Sequence, residues 1–254
     1  MKTKKQFIIY LIVTFGLAWI LQGISIYFAS IGNTGLFQII VAFSMFAPLI
    51  GAIVSKSNVS KIGWKPKFKG HVKNYLFSWF MPAVLGSLGA VLFFLIFPGL
   101  FGTVEDGIIA AAGAEQGKAL LDELAIQGIS PWIFFAITII ETLTYAPAIN
   151  AIFAAGEEAG WRGAMYPYLK EKFGTNKGRI LGGTIWGVWH WPLIIFAGYE
   201  YGTEYFGFPF VGPLAFVIIT IVFGILCDYV YQKGESIWAP SIFHGAINAF
   251  AGVP

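Results

Sequence analysis

Seven stretches of this chain run for 17–25 residues with at most one Asp, Glu, Lys or Arg apiece: Phe7–Ala29, Leu36–Val54, Tyr75–Phe97, Pro131–Ala155, Ile180–Ala197, Phe210–Val230 and Ile237–Val253. At 1.5 Å per residue a helix of that length crosses the ~30 Å hydrocarbon core of a bilayer. The rest of the composition agrees. Of the 254 residues, 57% are hydrophobic and 11% charged, with mean hydropathy +0.73, whereas a water-soluble domain carries about a quarter charged residues. The expected fold is therefore all-α: a polytopic transmembrane bundle of about seven spans, forming one integral-membrane domain over residues 1–254 and residing in the cell membrane as a multi-pass protein. The first stretch is about 23 residues, too long for the ~7–15 apolar residues of a signal peptide, and reads as a retained first span. The single Cys227 rules out a disulfide framework or a multi-cysteine metal site and reads as a small core residue.

Charge placement orients the bundle. With a cytoplasmic N-terminus, segments 1–6, 55–74, 156–179 and 231–236 lie inside and hold 15 of the 16 Lys and Arg residues, leaving Lys118 outside. This is the positive-inside pattern, read here as N-in and C-out. The basic loop from Ser55 to Tyr75 carries six lysines around Trp64 and Phe68. It reads as a topology-fixing segment touching anionic lipid rather than nucleic acid, with His71 solvated in it. Glu105–Gly128 reads as an amphipathic segment near the outer interface.

Within this apolar chain, "AAGEEAGWRGAMY" (Ala154–Tyr166) places three charges together. On a helix Glu158 and Arg162 are four apart with Glu first, the favourable order for a pair. Glu157 points ~100° away and needs a partner from elsewhere, because an isolated charge in a low dielectric is costly. His190 in the fifth stretch and His244 in the seventh are the candidates, with Asn248 one turn beyond His244. Glu141 and Asp228 complete the ionisable residues within the stretches. Counting from the charged segment ends, Glu157, His190 and His244 lie ~12–20 Å deep, so one polar pocket drawing on the fourth, fifth and seventh stretches is expected. That depth makes Pro131–Lys170 too long for one straight crossing, with a bend expected in "TYAPAIN" at Pro147.

A carboxylate and an imidazole can hold and deprotonate a water, while a second imidazole and a carboxamide can donate to a developing oxyanion. These are the parts of an amide hydrolase. Two histidines with a glutamate (Glu157, His190, His244) could alternatively hold Zn²⁺ and a water; a metal-free water, with no cofactor, is favoured because Glu158 is already paired.

The order "EEAGWR", "WGVWH", "HGAIN" resembles the EExxxR, FxxxH and HxxxN signatures of the CPBP (CAAX protease and bacteriocin-processing, Abi) intramembrane endopeptidases. The resemblance implies an all-α bundle, usually of eight helices, with a cavity open to the cytoplasm. It implies Glu157 as base with His190 on the water, Glu158 and Arg162 as supporting residues, and His244 with Asn248 as the oxyanion hole. The implied partners are the bilayer and a membrane-associated peptide or lipidated protein substrate, with no nucleic acid. Two departures stand out. Trp186 occupies the phenylalanine position, which is expected to alter packing and no polar role, and six residues follow Asn248 where the family usually has a further helix. Gly245 and Ala246, between His244 and Asn248, are expected to leave space for a peptide to approach. The competing readings are a non-catalytic bacteriocin-immunity membrane protein and a proton-coupled transporter, the latter lacking any visible inverted repeat.

Overall fold

The computed structural model describes residues 1–253. Among these residues the regular structure is helical throughout, without a strand. In chain order the helices are α1 (Lys4–Ser30), α2 (Thr34–Ser44), α3 (Ala47–Val54), α4 (Val72–Ile96), α5 (Val104–Ala112), α6 (Ala114–Ile126), α7 (Pro131–Leu143), α8 (Ala146–Gly160), α9 (Tyr166–Phe173), α10 (Thr175–Trp189), α11 (Trp191–Ala197), α12 (Val211–Gly234) and α13 (Trp238–Ala251). A π-helical segment, Trp161–Met165, joins α8 to α9.

Among the described residues, fewer than seven helical segments have the length and hydropathy of a span. Five helices are long and apolar enough to span: Lys4–Ser30, Thr34–Val54, Val72–Ile96, Thr175–Ala197 and Val211–Gly234; the bent pair α6–α7 makes a sixth if counted as one span. The fourth apolar stretch is interrupted between Leu143 and Ala146. Pro147 sits in the first turn of α8, where its missing N–H costs no helical bond, so the expected bend is a helix break. The seventh stretch forms a helix of 14 residues, or ~21 Å, short of the hydrocarbon thickness.

Close contacts along the chain divide it into two units, residues 1–74 with 152–241, and 75–151 with 242 onward. In the first unit, α1 is built inside-out relative to a soluble helix. Its buried stripe is Tyr10, Thr14, Ala18, Gln22 and Ser25, spaced for one helical face, while Ile8, Ile12, Ile20 and Ile24 are exposed. Lipid tails are as apolar as isoleucine, so small and polar residues mark helix contacts instead. The same rule packs α10 on α12. A Cβ on Gly183 would lie 2.9 Å from the Ile221 nitrogen, one on Gly187 2.6 Å from the Thr220 hydroxyl, and that hydroxyl donates to the Gly183 carbonyl at 3.0 Å. It also packs α8 against the α2–α3 junction, where a Cβ on Gly156 would meet the Met45 carbonyl at 2.8 Å.

The four segments assigned to the cytoplasmic side meet within this unit. Gln6 Nε2 donates to the Lys56 carbonyl at 3.3 Å. The basic loop is fastened to the α12–α13 turn: Ile237 N donates to Gly63 O at 3.0 Å, Trp238 Nε1 to Trp64 O at 2.7 Å, and Lys67 pairs with Glu235 at 2.8 Å. His71 Nδ1 bonds the Lys233 carbonyl at 2.7 Å, so it is a fastening rather than a solvated side chain. A tethered loop has less conformational freedom than a loose basic tail. We expect a single cysteine at position 65 to be labelled by an impermeant thiol reagent only from the cytoplasmic side, and one at position 204 only from outside. The reverse accessibility in intact cells would overturn the orientation.

In the second unit α4 presents Leu88, Val91, Leu92, Leu95 and Ile96 as exposed apolar residues, the surface a lipid-facing helix requires. Trp79 Nε1 donates to the Leu143 carbonyl at 2.9 Å, and Phe77 stacks on Phe243 with ring centroids 6.2 Å apart. The Glu105–Gly128 stretch forms two short helices parted at Gly113, whose φ of +85° favours glycine. Thr103 caps the first of them, and its bonds to Asp106 hold that carboxyl below its ordinary range.

Candidate active site

The stretch Ala154–Tyr166 is buried apart from the half-buried Gly163. Glu157 is 1% exposed, and Glu158 and Arg162 are fully buried. Three charges enter the interior because each is answered by a specific partner. Arg162 Nη1 donates to Glu158 Oε1 at 2.8 Å, the expected i, i+4 pair. The guanidinium also lies over two ring faces, 4.5 Å from the Trp186 centroid and 4.9 Å from that of Tyr166. Stacking of this kind suits a planar, weakly hydrated cation.

Glu157 is held differently. Its Oε2 accepts the indole N–H of Trp161 at 2.9 Å and that of Trp186 at 2.6 Å. The missed partner was legible: Trp161 is four residues from Glu157, the same spacing that pairs Glu158 with Arg162. Trp186 also corrects an expectation, because it has a polar role that no phenylalanine could fill. Two N–H donors take the place of the water that this buried oxygen would otherwise bind.

His190 lies at the break between α10 and α11. Pro192, lacking an N–H, occupies the start of α11. His190 Nδ1 is 2.9 Å from the Trp186 carbonyl; since a carbonyl only accepts, Nδ1 carries a proton, and in the neutral form of the ring the lone pair is then on Nε2. The ring packs against Trp189 at 4.6 Å and Phe216 at 4.8 Å. The adjoining Trp189 carbonyl accepts from Trp19 Nε1 and Gln22 Nε2 of α1, each at 3.2 Å. Gln22, a carboxamide in an otherwise apolar first span, was the sequence signal for this anchoring. Trp186 thus serves two residues, its side chain bonding Glu157 and its carbonyl bonding His190.

Asp228 and Glu141 stand apart from this arrangement. Asp228 is buried between Lys170 at 2.6 Å and Arg179 at 2.7 Å, with Gln232 donating to it at 2.6 Å. It ties α9 and α10 to α12. Glu141 accepts from the Tyr145 hydroxyl in the second unit. Cys227 is fully buried.

His244 and Asn248 belong to the second unit, one turn apart on α13, His244 buried and Asn248 half-buried. The space expected at Gly245 is filled: a Cβ there would lie 2.6 Å from the Pro147 carbonyl and the Ala151 nitrogen of α8. Ala246 is buried as well. Thr142 Oγ1 further fixes α13 by donating to the Ala249 carbonyl at 3.2 Å. Among the described residues no group of three or more His, Cys, Asp or Glu side chains is placed to hold a metal ion.

Glu158→Gln is expected to lower stability by ~3–5 kcal/mol, because it leaves the Arg162 charge buried without its counter-ion. Reversible denaturant unfolding in micelles measures it. A loss below about 1 kcal/mol would mean that the aromatic faces alone suffice for the guanidinium.

Residues 127–250 match the family described as Rce1-like, type II CAAX prenyl endopeptidase Rce1-like. A segment of 96 residues is 35% identical to CAAX prenyl protease 2 of Methanococcus maripaludis, covering 37% of this chain. The chain spans about a third of that relative's length, 35%. Glu157, Glu158, Arg162, His190, His244 and Asn248 all fall inside the family match, which covers just under half of this chain.

Proposed function

We propose that the protein is an intramembrane endopeptidase hydrolysing a peptide bond of a membrane-associated peptide or prenylated protein. The observation that carries the reading is the buried Glu157 carboxylate, held by two indole N–H donors within the segment that matches the family. A water donating one hydrogen to Glu157 and the other to His190 Nε2 would keep an oxygen lone pair directed at the scissile carbonyl carbon. As that C–O bond forms, Glu157 takes the water proton, and the carbonyl oxygen becomes an oxyanion. His244 and Asn248 would donate to it. Collapse of the tetrahedral species breaks the C–N bond, and the proton on Glu157 passes to the departing amine.

We further propose that the water is activated without a metal. Glu158 is committed to Arg162, and Glu157 Oε2 already receives two donors, which leaves this carboxylate few directions for coordination. Under the zinc alternative Glu157, His190 and His244 would be the ligands. The test is cleavage of a farnesylated peptide ending in a CAAX-type sequence by purified protein in lipid vesicles, with metal content measured on the same active sample. Release of the C-terminal tripeptide at sub-stoichiometric metal is the expected result. No cleavage of prenylated or unprenylated membrane peptides would favour the immunity reading. Stoichiometric zinc, lost with activity on chelation and restored with it, would overturn the metal-free step.

A further inference from the structure

The family signature has phenylalanine where this chain has Trp186, and the difference adds one donor at one place. We infer that Trp186 is a positioning residue that fixes Glu157 for proton abstraction, and that the Glu158–Arg162 pair acts on Glu157 through the Trp186 ring. The inference rests on the protease reading above and adds to it a route by which the second glutamate reaches the first.

The chain of contacts runs in one direction. Glu158 Oε1 orients Arg162 at 2.8 Å. The Arg162 guanidinium stacks on the Trp186 indole at 4.5 Å. That indole donates to Glu157 Oε2 at 2.6 Å, beside the Trp161 donor at 2.9 Å. Oε2 receives both donors, so the χ angles of Glu157 are set by two rigid rings rather than by solvent. Trp186 is itself immobile: it is 3% exposed and its carbonyl receives the His190 Nδ1–H. One residue thereby couples the orientation of the proposed base to that of the proposed water-holding imidazole. Positioning groups of this kind influence rate more than affinity, because small misplacements are costly at the reacting atoms.

Trp186→Phe removes the donor and keeps the stacked ring, so it separates hydrogen bonding from packing. In vesicle-reconstituted protein cleaving the farnesylated peptide, kcat is expected to fall ~10–100-fold, the range for losing a hydrogen bond to a charged group, with KM within about twofold. Arg162→Lys keeps the charge and loses the planar stack. It should lower kcat in the parent but much less in the Trp186→Phe background, a coupling that a purely structural arginine would not give. Independently of activity, ¹⁵N-indole spectra of the full chain in micelles should show a downfield N–H resonance that is absent in Trp186→Phe and moves upfield in Glu157→Ala. An active parent with unchanged kcat in Trp186→Phe, or an indole resonance insensitive to Glu157→Ala, overturns the inference and leaves the protease reading standing. An inactive parent with the expected indole behaviour sinks the protease reading instead, and with it the catalytic part of the inference.

Discussion

Glu157→Gln is expected to reduce cleavage by at least ~10³-fold, within the range for removing a positioned general base, and to leave the fold intact. The structural reason for the second half is specific. The glutamine carbonyl oxygen can take the place of Oε2 and accept both indole N–H bonds, so neither Trp161 nor Trp186 loses its buried partner. An amide at that position cannot accept a proton from water. Single-turnover cleavage of the farnesylated peptide, run beside thermal unfolding of the same preparation, measures both halves. Cleavage at the parental rate by a purified Glu157→Gln sample would remove Glu157 from the mechanism. Lost cleavage with a collapsed melting temperature would make it a structural carboxylate.

Asn248→Ala is expected to lower kcat by ~10²–10³-fold, or ~3–4 kcal/mol of transition-state stabilisation, with substrate affinity scarcely changed. His244→Ala should do likewise, and raising the pH should not restore it, since the proposed role is donation rather than proton abstraction. The packing of α13 sharpens the test. Gly245 is pressed against the α8 backbone and the Ala249 carbonyl is bonded by Thr142, so the helix is fixed by neighbours other than Asn248. If Asn248 were instead only a contact between helices, its loss would appear as lower thermal stability with normal turnover in the folded fraction. That result would leave the hydrolysis without its oxyanion donors and favour the immunity reading.

What the sequence made legible followed from local rules. Apolar length located the long helices, and helical spacing paired Glu158 with Arg162 before any coordinates. The Lys/Arg partition grouped four segments, three of which turn out to be bonded to one another. Three things were not legible, each for a physical reason. Hydropathy alone cannot tell a span from a run of apolar residues interrupted by backbone geometry, so the break before Ala146 and the shortness of α13 went uncounted. Asp228 had no evident partner in the sequence because its cations, Lys170 and Arg179, come from helices far away along the chain. Indole N–H groups carry no charge and score as apolar, so the donors to Glu157 were hidden among 9 tryptophans that otherwise read as packing.

The π-helical turn at Trp161–Met165, closed by the Tyr166 N–H reaching back five residues to the Trp161 carbonyl, has a consequence for the permissible length of this element. A π turn holds one residue more than the α-helical turn it replaces. Everything after it is therefore rotated by ~100° relative to an uninterrupted helix. The α8 side carries Glu157, the proposed base, while the α9 side carries Lys170, which is clamped to Asp228. Deleting a single residue from this turn would let it close as an ordinary α turn with Lys170 still facing its clamp, whereas adding one would swing Lys170 away by ~100° without altering any residue before Gly160. The phase between the two halves is thus set by a count of residues rather than by their identity, and the turn tolerates the loss of one residue but not the gain of one.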